Sequence, residues 1–243
     1  MRPAYPWRLE PTLRFLATLL FAFAASAFAI HALALVFGTD PANPPATLLA
    51  AGTGLLHAVG ILALIPFLRT QGQGWRDGFG VGTSPWHRTL LFAVGCTLPA
   101  LAAAWGVHHV SSLLLEALGQ SPDSQAAVDA VRGASRPWER GLLLFFAAGT
   151  APIFEELIFR GVFWPALRDR GFRVMGCLLV SFLFALIHAN VAAFLSLALL
   201  GVFWTWLYEK TGDISVPILS HALFNATNFL WILALPAGSP NSP

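Results

Sequence analysis

Charge is what this sequence lacks most. Of its 243 residues only 11% are Asp, Glu, Lys or Arg, against 56% hydrophobic, whereas a soluble globular domain carries about 25% charge. A chain this poor in charge is not an ordinary water-soluble domain, and its mean hydropathy of +0.68 agrees. A net charge of +2 is too small to argue for nucleic acid as a partner. Cysteine is scarce as well. Cys96 and Cys177 sit in apolar runs, with no partners for a disulfide framework and no CxxC metal pair, so both read as small buried hydrophobes. The sequence holds no HExxH helix, and no internal repeat of the kind many transporters show.

Long apolar runs, by contrast, are plentiful. Crossing a hydrocarbon core of about 30 Å takes roughly 20 helical residues, and candidate spans fall at 15–37, 48–68, 90–115, 142–167, 174–189, 191–208 and 216–235. Ala25-Ser26-Ala27 resembles a signal-peptide cleavage site. The run around it is longer than a signal core and many spans follow, so it reads as a span. The expected fold is an all-α polytopic transmembrane bundle of about seven spans, six to eight. Residues 1–140 would form N-terminal helices and a polar loop, 141–235 a C-terminal group of spans, and 236–243 a disordered Pro/Gly/Ser-rich tail. The Gly-rich stretch 71–82, with Trp75 nearby, suits an interfacial loop or short surface helix. With seven spans, Arg2, Arg8, Arg14, Arg69, Arg76, Arg88, Arg168, Arg170, Arg173 and Lys210 fall on the N-terminal side. Only Arg132, Arg136 and Arg140 fall on the other. That asymmetry predicts a cytoplasmic N-terminus.

Against this background a few polar residues are costly. Glu155 and Glu156 are the two acids deep within a run, where an ionisable group costs at least about 2.5–3.5 kcal/mol on insertion scales. Arg160 follows Glu156 by four residues, so the two can pair on one helix face. Glu155 points about 100° away from Glu156 and is left to exchange a proton with water, as a general base does. His31, His57, His108 and His109 have no polar residue at i±4 and read as packed or snorkelling side chains; His87 is in a loop. His188 follows Phe184 by four residues, and His221 precedes Asn225 by four. Glu155, His188, His221 and Asn225 could therefore converge at similar depth, with a carboxylate and imidazole to hold water and an imidazole and amide to stabilise an oxyanion.

The series Glu155-Glu156-x-x-x-Arg160, Phe184-x-x-x-His188 and His221-x-x-x-Asn225 resembles the three motifs of the CPBP family. These are the CAAX-type prenyl endopeptidases and bacteriocin-processing membrane proteases, also called the Abi family. The likeness covers about 142–233, including Phe159-Arg160-Gly161 and Leu219-Ser220-His221. It implies an intramembrane endopeptidase with Glu155 as base and His188 positioning water. Glu156 and Arg160 would support the site, and His221 and Asn225 would stabilise the oxyanion. Members are often labelled metalloproteases, and Glu155, His188 and His221 could form a two-histidine, one-carboxylate Zn2+ site. The missing HExxH helix tilts the reading toward a metal-independent glutamate mechanism. The implied partner is a peptide or protein substrate, lipidated or not, met in the lipid bilayer of a bacterial inner (plasma) membrane. A transporter or proton-coupled channel, and a non-catalytic immunity or scaffold protein, are the rival readings.

Overall fold

In lipid an apolar run has little choice but helix, because each backbone N–H and C=O must be satisfied inside the protein. The computed structural model describes residues 7–41, 44–120, 126–134 and 136–234, and every regular element among them is helical. Among the described residues six helices are long and apolar enough to cross a membrane. They are α1 (Leu9–Val36), α2 (Ala46–Gln71), α4 (Trp86–Ala117), the composite fourth span Pro137–Arg168, α10 (Val191–Thr211) and α11 (Ser215–Ala234). Two short helices, α3 (Trp75–Phe79) and α5 (Ala126–Gly133), lie in the connections. The first is the surface helix expected in the Gly-rich stretch. The tail expected to be disordered, 236–243, lies outside the described residues.

The expected span 174–189 is shorter than its apolar run. Helix α9 (Arg173–Leu186) has 14 residues, a rise of about 21 Å. Its chain reverses at once: Ala189 takes the left-handed conformation (φ 48°), and the Asn190 side chain accepts the Ala193 N–H at 2.7 Å to start α10. The left-handed turn at Ala189, followed at once by the Asn190 cap that opens α10, leaves α9 no room to continue, although the sequence around it stays apolar.

Hydrogen bonds gather one set of helix ends into a single face. The Arg8 N–H donates to the Gln71 side chain at 2.9 Å, joining the start of α1 to the end of α2. The Ser84 N–H donates to Asp213 at 3.0 Å, tying the approach to α4 to the α10–α11 corner. Arg170 donates to the Trp7 carbonyl at 3.1 Å, and Arg173 pairs with Glu209 at 2.5 Å across α9 and α10. Gly80 packs so closely on Gly212 that a Cβ there would overlap the Gly212 carbonyl. This face therefore carries Arg8, Arg69, Arg76, Arg88, Arg168, Arg170, Arg173 and Lys210. Because the fourth span and α10 both end on it, α9 and α10 together leave and return. The described residues make seven passes, six of them by helices long enough to span unaided. Large apolar side chains point outward, among them Phe21 and Phe28 of α1 at 76% and 74% exposure, as lipid contact requires.

The fourth span is not a uniform helix. It runs α6 (Pro137–Leu144), a π-helical stretch π1 (Phe145–Thr150), α7 (Ala151–Glu156), a second stretch π2 (Leu157–Phe163) and α8 (Trp164–Arg168). In π1 the Ala151 N–H already bonds the Phe146 carbonyl, five residues back. The next bond in that register would run from residue 152 to the Ala147 carbonyl, and residue 152 is proline, which has no N–H. The Asn225 side chain takes its place, donating to the Ala147 carbonyl at 2.8 Å. The pattern recurs below. Pro165 again brings no N–H, beside π2, where the Trp164 N–H bonds the Phe159 carbonyl five residues back, and the Trp7 indole donates to the nearby Gly161 carbonyl at 2.9 Å. Two prolines thus open the span's own ladder, and neighbouring side chains close it.

Candidate active site

The short helix α7, held between the two π-helical stretches, ends on Glu155 and Glu156. Glu156 turns into the bundle and is fully buried. Its Oε1 accepts from Arg160 Nη1 at 3.0 Å and faces His221 Nδ1 at 2.8 Å. Arg160, also fully buried, donates its Nη2 to the Gly201 carbonyl at 3.0 Å. Its guanidinium lies over the Phe184 ring at 4.7 Å and the Trp204 ring at 5.5 Å. A Cβ on Gly201 would meet Ser181 at 2.7 Å, so α10 approaches this charge and α9 only because residue 201 is glycine. Further hydrogen bonds offset part of the desolvation of a buried ion pair, here from His221 to Glu156 and from Arg160 to the Gly201 carbonyl; Glu156 Oε2 and Arg160 Nε have none among the described residues.

His221 is the hinge between this buried layer and the open one. Its ring stacks on Trp204, with centroids 3.8 Å apart and 17° between planes. Its Nε2 lies 3.8 Å from Glu155 Oε2, too long for a direct hydrogen bond. Glu155 Oε2 has no hydrogen-bond partner among the described residues. With Nδ1 donating to Glu156, a neutral His221 carries its lone pair on Nε2, and a protonated one donates from Nε2 with the Glu156 carboxylate behind it. His188, at the turn after α9, is fixed the same way. Its Nδ1 is 2.7 Å from the Phe184 carbonyl, which can only accept, so the neutral ring presents the Nε2 lone pair.

Glu155, His188, His221 and Asn225 all line one cavity of about 440 Å3. The rest of its wall is mostly apolar, with Ala104, Phe146, Leu197, Leu200 and Phe224 among the lining residues. Glu156 and Arg160 do not line it; they lie behind it. The site residues read from the sequence thus sort into two groups, four at the cavity and two in support. One amide N–H of Asn225 is committed to Ala147, which fixes the side chain and leaves the other N–H available. Among the described residues no group of three or more His, Cys, Asp or Glu side chains is placed to hold a metal ion. The set Glu155, His188 and His221 does not fit a zinc site as arranged.

Several residues at the site carried no sequence signal. His57 is not a merely packed histidine: its Nδ1 meets Thr150 Oγ1 at 2.9 Å, and its ring stacks on Phe154 with centroids 4.6 Å apart. It binds α2 to π1, and no i±4 rule reveals a partner 93 positions away. His108 lines the cavity, while His31, His87 and His109 are exposed, as lone histidines often are. Trp204, the platform under His221, looked like any apolar span residue. Pro152 and Pro165 were the legible hints, since a mid-span proline frees carbonyls that something else must satisfy.

Comparison with known proteins agrees with the motif reading. The family described as Type II CAAX prenyl endopeptidase Rce1-like matches residues 137–227, from the first residue of α6 to two residues beyond Asn225. The "Putative membrane peptidase YdiL" of Bacillus subtilis (strain 168) is 24% identical over 186 residues, 70% of this chain and 71% of that relative. No solved structure matches the chain. Both matches support a membrane peptidase of the CPBP type.

Proposed function

From a core that matches the type II CAAX prenyl endopeptidases over 137–227, we propose that the chain is an intramembrane endopeptidase in which Glu155 activates water. The observation that carries this reading is the single cavity lined by Glu155, His188, His221 and Asn225, with the Glu156–Arg160 pair buried behind it. Glu155 takes a proton from water, and the hydroxide adds to the scissile carbonyl carbon. His188 Nε2 accepts the second water hydrogen and so aims the attacking oxygen. The oxyanion receives hydrogen bonds from protonated His221 Nε2 and from the free Asn225 N–H. Collapse of the tetrahedral intermediate breaks the C–N bond, and Glu155 returns its proton to the leaving amine. Glu156, 2.8 Å from Nδ1, holds the His221 ring with Nε2 turned toward the oxyanion, as a buried carboxylate orients a catalytic histidine.

The same reading assigns residues 141–235 as the catalytic core and the bacterial inner membrane as the location, with the N-terminus cytoplasmic. The substrate is a peptide or protein, lipidated or not. Comparing the termini of membrane proteins in cells carrying the wild type and Glu155→Gln tests it. New amino termini should be present with the wild type and absent with the variant. Identical termini in the two cell populations would refute the role of Glu155.

A further inference from the structure

Where the cavity opens is decided by which ends of the helices build it. Helix α2 runs toward the arginine-rich face and lines the cavity with Leu49 and Ala50 from its first two turns. Helix α10 also runs toward that face and contributes Ala193, again from its beginning. Helix α11 runs away from it and contributes Phe229 and Ile232 from its end. At the rim each helix offers the part far from the arginines, while Trp204 and His221 close the cavity deeper in the bundle. The other end is shut: Trp7, Phe79, Trp164, Leu207 and Ile214 pack there with 2% exposure or less. Helix α5 sits at the open end, with Val128 and Val131 buried against the rim while Asp129 and Arg132 face outward.

Charge gives that direction a biological sense. The described Arg and Lys side chains at helix ends crowd the sealed face, and only Arg132, Arg136 and Arg140 belong to the segment at the open end. Segments rich in Lys and Arg remain in the cytoplasm. We infer that the substrate reaches Glu155 from the non-cytoplasmic side, so its class is a polypeptide anchored or exposed on that side, with apolar residues flanking the scissile bond. The word substrate here rests on the peptidase reading above; the access route does not. A lipidated tail confined to the cytoplasm meets only the sealed face.

Cysteine labelling tests the route. In the full chain with Cys96→Ala and Cys177→Ala, single thiols are placed at the rim (Ala130→Cys, and separately Ile232→Cys) and on the arginine-rich face (Arg76→Cys). Each variant is first shown to run as the wild type in gel filtration. A charged, membrane-impermeant maleimide is applied to right-side-out spheroplasts and to inverted vesicles. The rim thiols should be modified in spheroplasts and not in inverted vesicles, and Arg76→Cys the reverse. Rim thiols modified only in inverted vesicles, or in neither preparation, would overturn the inference. Labelling does not depend on catalysis. A Glu155→Gln chain that alters no protein terminus would sink the peptidase reading and leave the access route standing.

Discussion

Neutralising the two adjacent glutamates one at a time should give opposite results. In Glu156→Gln the shape is kept and a charge is lost where Arg160 Nη1 and His221 Nδ1 both converge, at 3.0 and 2.8 Å, with the arginine and the glutamate fully buried. Breaking a buried pair by removing one partner costs about 3–5 kcal/mol, because the remaining charge is stranded. Arg160 keeps its bond to the Gly201 carbonyl and its place over Phe184 and Trp204; these contacts are common to both proteins and cancel in the difference. The expected loss is therefore about 3–5 kcal/mol, together with a fall in kcat as His221 loses the carboxylate that orients it. Glu155→Gln removes a carboxylate whose Oε2 has no hydrogen-bond partner among the described residues. It should leave stability unchanged or raise it, while abolishing cleavage. Unfolding of purified protein by SDS titration, followed through the fluorescence of its 9 tryptophans, measures both. A Glu156→Gln protein as stable as wild type, or a Glu155→Gln protein that loses several kcal/mol, would refute the division into a supporting and a reacting carboxylate.

Three further outcomes follow from the geometry. Asn225→Ala should cost roughly 1–3 kcal/mol by orphaning the Ala147 carbonyl; adding Pro152→Ala, which restores an N–H to the span, should recover part of that stability and none of the activity. Gly201→Ala forces a Cβ to within 2.7 Å of Ser181 and should destabilise by about 1–3 kcal/mol through overpacking, seen as a lower SDS midpoint. His57→Phe keeps the stack on Phe154 and loses the bond to Thr150. It should cost roughly 1–3 kcal/mol, and Thr150→Val should add little to it in a double-mutant cycle.

Glu156–Arg160 was legible because four residues of helix separate the two, and that spacing survives as a 3.0 Å contact. The union of Glu155, His188, His221 and Asn225 at one cavity followed from the cost of burying polar groups, a strong filter in a chain with so few of them. What escaped was non-local or contrary to apolar content. His221 bonds Glu156 across 65 positions, so the sequence showed two glutamates facing apart where the structure shows one imidazole between them. The run 174–189 is apolar to its end, yet the left-handed Ala189 and the Asn190 cap stop α9 at Leu186. Helical periodicity counts residues at 3.6 per turn and does not register the π-helical stretches around Glu155, which shift every later side chain around the axis.

The two prolines of the fourth span also order events in time. Ala147 enters the bilayer 78 residues ahead of Asn225, which must supply its missing hydrogen bond, and Trp7 precedes Gly161 by 154. During synthesis the fourth span therefore arrives with the partner of its Gly161 carbonyl already made and that of its Ala147 carbonyl still to come. The same late helix brings His221, the link between the two glutamates. A chain ending at Thr211 should neither cleave nor match the full chain in SDS resistance. On the proposed reading a nascent chain without α11 is unarmed: the helix that completes the backbone of the fourth span is the one that brings His221 and Asn225.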